Sequence, residues 1–363
     1  MEVLVAGRAL QGAAGGLLAG LGYAVIRASL PSSLWTRAAA LLSVIVGLQM
    51  FVAPALGSAF LHFGTWRWAF GMTVVIATAL AILVPFVLDA GSLDHGSVRP
   101  ATKFPFWSVL LLGAAMLTVT LAQLPGNRIA EVGLFVATVI LAGAFVMLDR
   151  RASEPLLPPN TFGSGPLKWI YLTVGLMMGA LMIDAYVPLI GQRLAGLTPM
   201  KASFLSFALT LGWMVGQIRS APLDKQRTIG RAVVAGPLLM VVGLALTAVT
   251  QGANPPVGIV VLWGLALLLV GTGCGAAYPH LLLWAMSAAD DPTEGSHAGV
   301  AFNIVVQLSS ALAIGVAGVV DVATGDWRDG ACDLGSVRWI ILVFVVLAVG
   351  AVIAAYQTTR RCL

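Results

Sequence analysis

Stretches of about 20 apolar residues follow one another along the whole chain. Each stretch is long enough to cross about 30 Å of hydrocarbon as an α-helix. Of the 363 residues, 59% are hydrophobic and 10% are charged, and the mean hydropathy is +0.96. A soluble globular domain carries about 25% charged residues. The sequence therefore predicts a polytopic membrane protein and excludes a water-soluble one.

The membrane spans are predicted to be helices, so the fold class is an all-α polytopic membrane protein. Only helices and closed barrels satisfy every backbone polar group in lipid, and the alternating segments of about ten residues that mark membrane barrels are absent from this sequence. We predict eleven transmembrane helices, at residues 4–28, 37–62, 67–88, 106–124, 129–148, 167–190, 201–218, 229–250, 257–286, 298–320 and 337–357.

The distribution of basic residues predicts the orientation. One set of alternate loops contains thirteen Lys and Arg residues and the other contains six, while Arg8 lies inside the first span. Because cytoplasmic loops carry the excess of basic residues, we expect the C-terminus inside and the N-terminus outside a cytoplasmic membrane. The basic residues lie in short loops and form no patch, so we expect no nucleic-acid partner. The three cysteines lie far apart, and neither a metal site nor a cofactor is expected.

The first span contains an arginine among small and aliphatic residues. The helical spacing places Arg8 and Gln11 near one face. A central arginine costs about 2.5 to 3.5 kcal/mol on insertion scales, so it should face protein or a wet cavity. The alternative is that Arg8 lies near the outer end of the span and extends its side chain to the interface.

Two N-terminal motifs carry a family resemblance. "LVAGRALQGAAGG" resembles the fourth-helix signature of the major facilitator superfamily. "GLQMFVAPALGSAF" is similar to the fifth-helix antiporter motif of that superfamily, in which Gly-Pro-x-x-Gly-Gly is usual; Ala53, Pro54, Gly57 and Ser58 occupy those positions here. The small residues and the proline keep the potential for close packing and a kink.

Two further segments extend the resemblance. "GTWRWAF" at 64–70 resembles the start of the sixth helix, and "DAYVPLIGQRLAGLTPMKASF" at 184–204 resembles the ninth-helix exit of the fourteen-helix drug/proton antiporter family. The resemblance implies that the first span corresponds to the fourth helix of that family, and we would then expect the first three helices of the family to be lacking from this sequence. The implied domains are an incomplete three-helix N-terminal bundle at 1–88, an inserted helix pair with its preceding loop at 89–148, a cytoplasmic linker at 149–166 and a six-helix C-terminal bundle at 167–363.

The resemblance implies a proton-coupled secondary active transporter that exports small lipophilic or cationic compounds by alternating access. It implies a coupling role for Arg8 and a leak-controlling helix interface at Ala53, Pro54, Gly57 and Ser58. The partners would be the bilayer, a small-molecule substrate and a proton, while the oligomeric state stays open. The alternative is an N-terminally truncated, non-transporting remnant or a misassigned start. No cluster of acids, histidines or nucleophiles at one depth indicates an enzyme.

Asp184 is the strongest candidate for a proton carrier. An acid inside a membrane protein can bind a proton in one conformation and release it in another. Since Tyr186 and Pro188 follow closely, an interfacial acid near a helix end is the alternative.

Amides and aromatic residues within the spans are candidates for the substrate cavity. Asn303 and Gln307 lie four residues apart on one face of their span. The full set is Gln11, Gln49, Trp213, Gln217, Tyr278, Asn303 and Gln307. Interhelical packing or hydrogen bonding is the alternative role for each of them. Gly271 and Gly275 are predicted to mediate close helix packing.

Overall fold

The computed structural model describes residues 67–87, 106–122, 128–152, 165–287, 292–324 and 334–362, together with isolated positions elsewhere. All regular secondary structure in these ranges is helical, which confirms the predicted fold class. The chain forms two compact units, Met1–Thr102 and Lys103–Leu363.

Ten α-helices and one 3₁₀ turn are defined within the described ranges. In the first unit the helix is α1 (Arg67–Val87). The helices of the second unit are α2 (Phe106–Ala122), α3 (Arg128–Asp149), α4 (Leu167–Leu181), α5 (Val187–Ala195), α6 (Pro199–Ser220), α7 (Gln226–Val249), α8 (Val257–Ser287), α9 (Pro292–Thr324) and α10 (Leu334–Cys362), and the 3₁₀ turn Met182–Ala185 joins α4 to α5. The predicted spans at 4–28 and 37–62 lie almost entirely outside the described residues.

Six segments of the described chain are long and apolar enough to cross a bilayer. They are Ile129–Asp149, Leu167–Ala195, Gln226–Val249, Val257–Ser287, Ala301–Asp321 and Leu334–Cys362. Shorter apolar helices cover Phe70–Phe86 and Phe106–Val119, while α6 has 22 residues but is not among the six. The polytopic membrane class is thus supported directly, whereas the total of eleven spans and their orientation stay predictions.

Helix α8 is the central element of the second unit, and its glycines bring it into backbone contact with α6. A β-carbon at Gly271 would overlap the carbonyl oxygen of Leu209, and one at Gly275 would overlap that of Trp213. On the α6 side, Gly212 meets the backbone of α8 in the same way. The predicted close packing at Gly271 and Gly275 is therefore confirmed.

The opposite face of α8 contacts α7 through a second glycine pair. A β-carbon at Gly273 would overlap the carbonyl oxygen of Gly236, while Gly236 in turn approaches the backbone at Gly273. Because neither contact involves a flexible side chain, α6, α8 and α7 form a tightly packed layer.

Helices α4 and α10 pack against each other, and α9 packs against α4. The hydroxyl oxygens of Thr173 in α4 and Thr358 in α10 lie 2.9 Å apart, and both side chains are fully buried. The hairpin of α2 and α3 packs on α9, where the ring of Phe135 lies against Gly315. The second unit therefore includes this hairpin as well as the helices after it.

The predicted linker at 149–166 begins in contact with the end of α3. The carboxylate of Asp149 accepts hydrogen bonds from the backbone N–H of Leu156 at 3.0 Å and of Leu157 at 2.8 Å. Asp149 is fully buried, and the side chain of Leu157 joins the hydrophobic core. This part of the connection is thus packed on the helices.

Candidate functional site

The span predicted at 167–190 is a broken helix that continues to Ala195. Helix α4 ends at Leu181, a 3₁₀ turn follows, and α5 begins at Val187. Pro188 explains the break, because it lacks an N–H group and its ring crowds the carbonyl four residues earlier, that of Asp184. Gly196, with φ +58°, ends α5 in the left-handed region.

Asp184 lies in this 3₁₀ turn. Its Oδ1 atom is buried and has no hydrogen-bond partner among the described residues. The Ser206 side chain of α6 lies beside the carboxyl group. The Oγ atom of Ser206 is buried and makes no hydrogen bond within the same part of the chain. The break therefore places two buried polar oxygens side by side in an apolar span.

The broken helix places Asp184 within the span and not at its end. Helix α5 follows Asp184 and runs on to Ala195. The ring of Tyr186 packs against Phe344 of α10, with ring centroids 5.9 Å apart. Tyr186 is thus engaged with a core residue, since Phe344 is fully buried. These positions favour a buried acid over an interfacial one.

A small cavity lies next to the break. Its volume of about 10 Å³ has room for about one water molecule. The lining residues come from the broken helix, α6, α8 and the end of α7, and they are Ile183, Val187, Ile190, Leu205, Thr247, Gln251, Trp263 and Leu267. The Oε1 atom of Gln251 is buried without a hydrogen-bond partner in the described chain. This cavity is too small for a drug-sized ligand, which needs roughly 300 Å³ or more.

Three helices contribute to a row of aromatic rings. The ring of Tyr278 in α8 lies 5.1 Å from that of Trp213 in α6 and 5.3 Å from that of Phe302 in α9, measured between centroids. Phe302 is buried, whereas Trp213 and Tyr278 are half-buried. The structure thus brings two predicted cavity residues together and adds a third ring to them.

The predicted polar residues lie near this row on the same helices. Gln217 is half-buried one turn beyond Trp213, and Asn303 and Gln307 are exposed on the surface of the second unit. In the part of the chain that the structure describes, no hydrogen bond involves their side-chain amides. Hydrogen bonding between described helices therefore does not account for these three amides.

The acid and the aromatic row lie at different depths. Ser206, which faces Asp184, precedes Trp213 by seven positions on α6, a distance of about 10 Å along the helix axis. The two features consequently form separate parts of the candidate site.

The N-terminal candidates are described only in part. Gln11 belongs to the first unit and is exposed there. The other candidates in this region lie outside the described residues: Arg8, Gln49, Ala53, Pro54, Gly57 and Ser58.

Sequence reasoning missed Ser206, and a signal for it exists. Ser203, Ser206 and Thr210 recur at helical spacing on α6 and form a hydroxyl stripe in an otherwise apolar segment. Gln251 is also buried, although its position in a short loop between two spans does not predict burial.

Comparison with known proteins places this chain in a family. The model of the Major Facilitator Superfamily matches residues 1–314. The chain belongs to the major facilitator superfamily. The family resemblance carried by the N-terminal motifs is thereby confirmed.

Several known proteins are similar to the chain over much of its length. A protein of Mycobacterium tuberculosis named as a probable multidrug-efflux transporter is 50% identical over 365 residues, which cover 99% of this chain and 76% of the relative. The tetracenomycin C resistance and export protein of Streptomyces glaucescens is 26% identical over 294 residues, or 75% of this chain and 52% of the relative. Multidrug resistance protein 3 of Bacillus subtilis is 22% identical over 298 residues, or 80% of this chain and 56% of the relative.

Membership of the major facilitator superfamily makes this chain a multi-pass membrane transporter and not an enzyme. The bilayer and a small-molecule substrate are accordingly its partners. The helical architecture and the apolar spans of the second unit agree with this assignment.

Proposed function

We propose that this chain is a proton-coupled antiporter of the cytoplasmic membrane that exports small lipophilic or cationic compounds by alternating access. Similarity to proteins named for multidrug efflux, tetracenomycin C export and multidrug resistance supports the export of drugs. One proton moving inward contributes about 2.3 kcal/mol per 100 mV of membrane potential, which is sufficient to drive a modest substrate gradient.

The observation that carries the proposal is the carboxyl group of Asp184 at the break between α4 and α5. Broken helices in transporters carry substrate or ion sites, and ionisable residues inside a membrane are costly unless they have a function. Asp184 has a buried oxygen without a partner in the described structure, next to the hydroxyl of Ser206. This setting supports Asp184 as the group that binds and releases the proton. The resemblance of the first span to the fourth-helix signature supports Arg8 as the second coupling residue.

The substrate cavity in this proposal is lined by aromatic rings and amides. Trp213 and Tyr278 supply apolar ring surface, and the amides supply a few polar contacts, which suits a lipophilic compound with polar groups. The amide-bearing residues are Gln11, Gln49, Gln217, Asn303 and Gln307. The motif at Ala53, Pro54, Gly57 and Ser58 would form the helix interface that limits leak. The proposed domains are 1–88, 89–148, 149–166 and 167–363.

Flux in vesicles with an imposed pH gradient tests this function. The full chain is reconstituted, and uptake of a fluorescent lipophilic cation into inside-out vesicles is followed with the vesicle interior acidic. We expect gradient-dependent uptake by the unaltered chain and its loss in Asp184→Asn, because the amide cannot carry a proton.

Asp224→Asn is the matched control, since Asp224 is exposed in the loop between α6 and α7. It should transport like the unaltered chain. Uptake by Asp184→Asn that keeps the same dependence on the pH gradient would remove Asp184 from the mechanism.

A further inference from the structure

Two cations lie against one indole ring where the first turn of α4 meets the last turn of α10. The ammonium nitrogen of Lys168 is 5.4 Å from the ring centroid of Trp169, and the guanidinium carbon of Arg361 is 5.7 Å from the same centroid. Both distances are within the range of cation–π attraction. Lys168 and Arg361 are far apart in the chain, so tertiary packing alone brings them to one ring.

The position of these side chains is fixed by the helices beneath them. One turn deeper, the hydroxyls of Thr173 and Thr358 lie 2.9 Å apart in a fully buried contact between α4 and α10. Leu167, the residue before Lys168, is also buried. The two helix ends are therefore held together, while the cationic groups of Lys168 and Arg361 are exposed.

The ends of the two helices carry basic residues and no acidic ones in their own sequence. Residues 167–172 and 356–362 contain three basic residues, Lys168, Arg360 and Arg361, and no acidic residue. The excess of basic residues predicts that these helix ends face the cytoplasm. Tryptophan favours the headgroup level of a bilayer, and the cytoplasmic leaflet carries anionic lipids.

We propose that Lys168, Trp169 and Arg361 bind the phosphate of an anionic phospholipid headgroup. The planar guanidinium of Arg361 is suited to two parallel hydrogen bonds to phosphate oxygens, while the ammonium of Lys168 supplies a second positive charge. The indole of Trp169 positions both cations and contacts the lipid at the headgroup level. This site is independent of the proposed transport cycle, because neither Asp184 nor the aromatic row takes part in it.

The neighbouring residues offer a matched control. The guanidinium carbon of Arg360 lies 5.5 Å from the ring centroid of Tyr356, so it makes the same kind of contact with a single cation. Successive residues on a helix point about 100° apart. Arg360 is thus directed away from the cation pair although it is adjacent in sequence.

Quenching of tryptophan fluorescence by brominated lipids tests the proposal. The full chain is reconstituted in phosphatidylcholine vesicles that contain equal fractions of either brominated phosphatidylglycerol or brominated phosphatidylcholine. The signal of Trp169 is the difference between the unaltered chain and Trp169→Phe. We expect stronger quenching of this component by the anionic lipid.

The cation variants then show which charges are responsible. Lys168→Gln and Arg361→Gln should each lower the preference of the site for phosphatidylglycerol about fivefold, as expected for one cation near an anionic headgroup. Arg360→Gln should leave the preference unchanged. Thermal unfolding in detergent, recorded for every variant, shows whether the folded state is retained.

Three results would overturn the proposal. The first is equal quenching of Trp169 by both brominated lipids, and the second is an effect of Arg360→Gln as large as that of Arg361→Gln. The third is full displacement of the lipid by an excess of inorganic phosphate, which would indicate a site for a soluble anion. Transport activity does not enter any of these measurements, so their outcome is separate from that of the proposed function.

Discussion

The α-carbon of Gly271 in α8 lies against the backbone carbonyl of Leu209 in α6, with no room for a methyl group between them. The obstructing atoms belong to the main chain and cannot rotate away. The same arrangement recurs at Gly275 and Trp213. Helices α6 and α8 are therefore held in direct main-chain contact at two successive turns.

Gly271→Ala is expected to destabilise the protein by about 1–3 kcal/mol or more, because the added methyl group forces the two backbones apart. The measurement is thermal unfolding of the detergent-purified protein. Gly264→Ala in the same helix is the control. The nearest atom to a β-carbon there is Cδ2 of Leu205 at 3.8 Å, so no loss is expected. Equal melting temperatures for the two variants would contradict the packing described.

The paired hydroxyls of Thr173 and Thr358 suit a double-mutant cycle. Hydrogen bonds between transmembrane helices contribute on average about 0.6 kcal/mol. We expect Thr173→Val and Thr358→Val each to lower the free energy of unfolding, and the double variant to lower it by less than the sum. Denaturant unfolding curves of the detergent-purified variants provide the free energies of unfolding. A coupling energy of zero would show that each hydroxyl bonds only within its own helix.

Trp213→Ala is expected to weaken transport of lipophilic compounds severalfold, because contact with an aromatic ring contributes about 0.5–1.5 kcal/mol beyond buried area. Concentration dependence of uptake in vesicles measures this effect as a rise in the half-saturating concentration. Trp339→Ala is the control, since Trp339 is an exposed tryptophan of α10. The cavity assignment fails if the two variants transport alike.

Asp149→Asn is expected to loosen the start of the linker. The amide has only one acceptor oxygen, so the N–H of Leu156 or Leu157 loses its partner, at a cost of about 1–3 kcal/mol. Trypsin should then cleave after Arg150 or Arg151 faster than in the unaltered chain. Asp224→Asn serves as the control for the loss of one acidic charge. Unchanged cleavage rates in Asp149→Asn would show that these hydrogen bonds do not restrain the segment.

Helix positions in the second unit could be predicted from hydropathy alone, but their ends and interruptions could not. The span predicted at 257–286 is α8, Val257–Ser287, because apolar length marks both ends. The span predicted at 337–357 is longer, from Leu334 to Cys362. Its last turns are polar, and hydropathy measures contact with lipid, whereas backbone hydrogen bonds set where a helix ends.

Some residues of the candidate site could be predicted from the sequence and others could not, because some depend on contacts between helices. Asp184 is an acid inside a membrane span, where acids are rare, so the sequence alone identifies it. Trp213 and Tyr278 are identified as large rings that carry a polar atom within such spans. Ser206 is a common residue in such spans, and its importance depends on facing a carboxyl group from another helix. No local sequence pattern predicts which helices will be neighbours.

The sequence by itself determines the local properties of the chain, which are the apolar length of its spans, the bias of its basic residues and the placement of its glycines. From these it follows that the chain forms helices in a bilayer and that its glycines permit close contact. Packing between helices distant in sequence decides the tertiary contacts. It decides which backbone lies against each glycine, which hydroxyl faces Asp184 and which cations share the ring of Trp169. Those contacts arise because every helix must find neighbours for its small and polar residues in lipid, and only the assembled bundle satisfies all of them together.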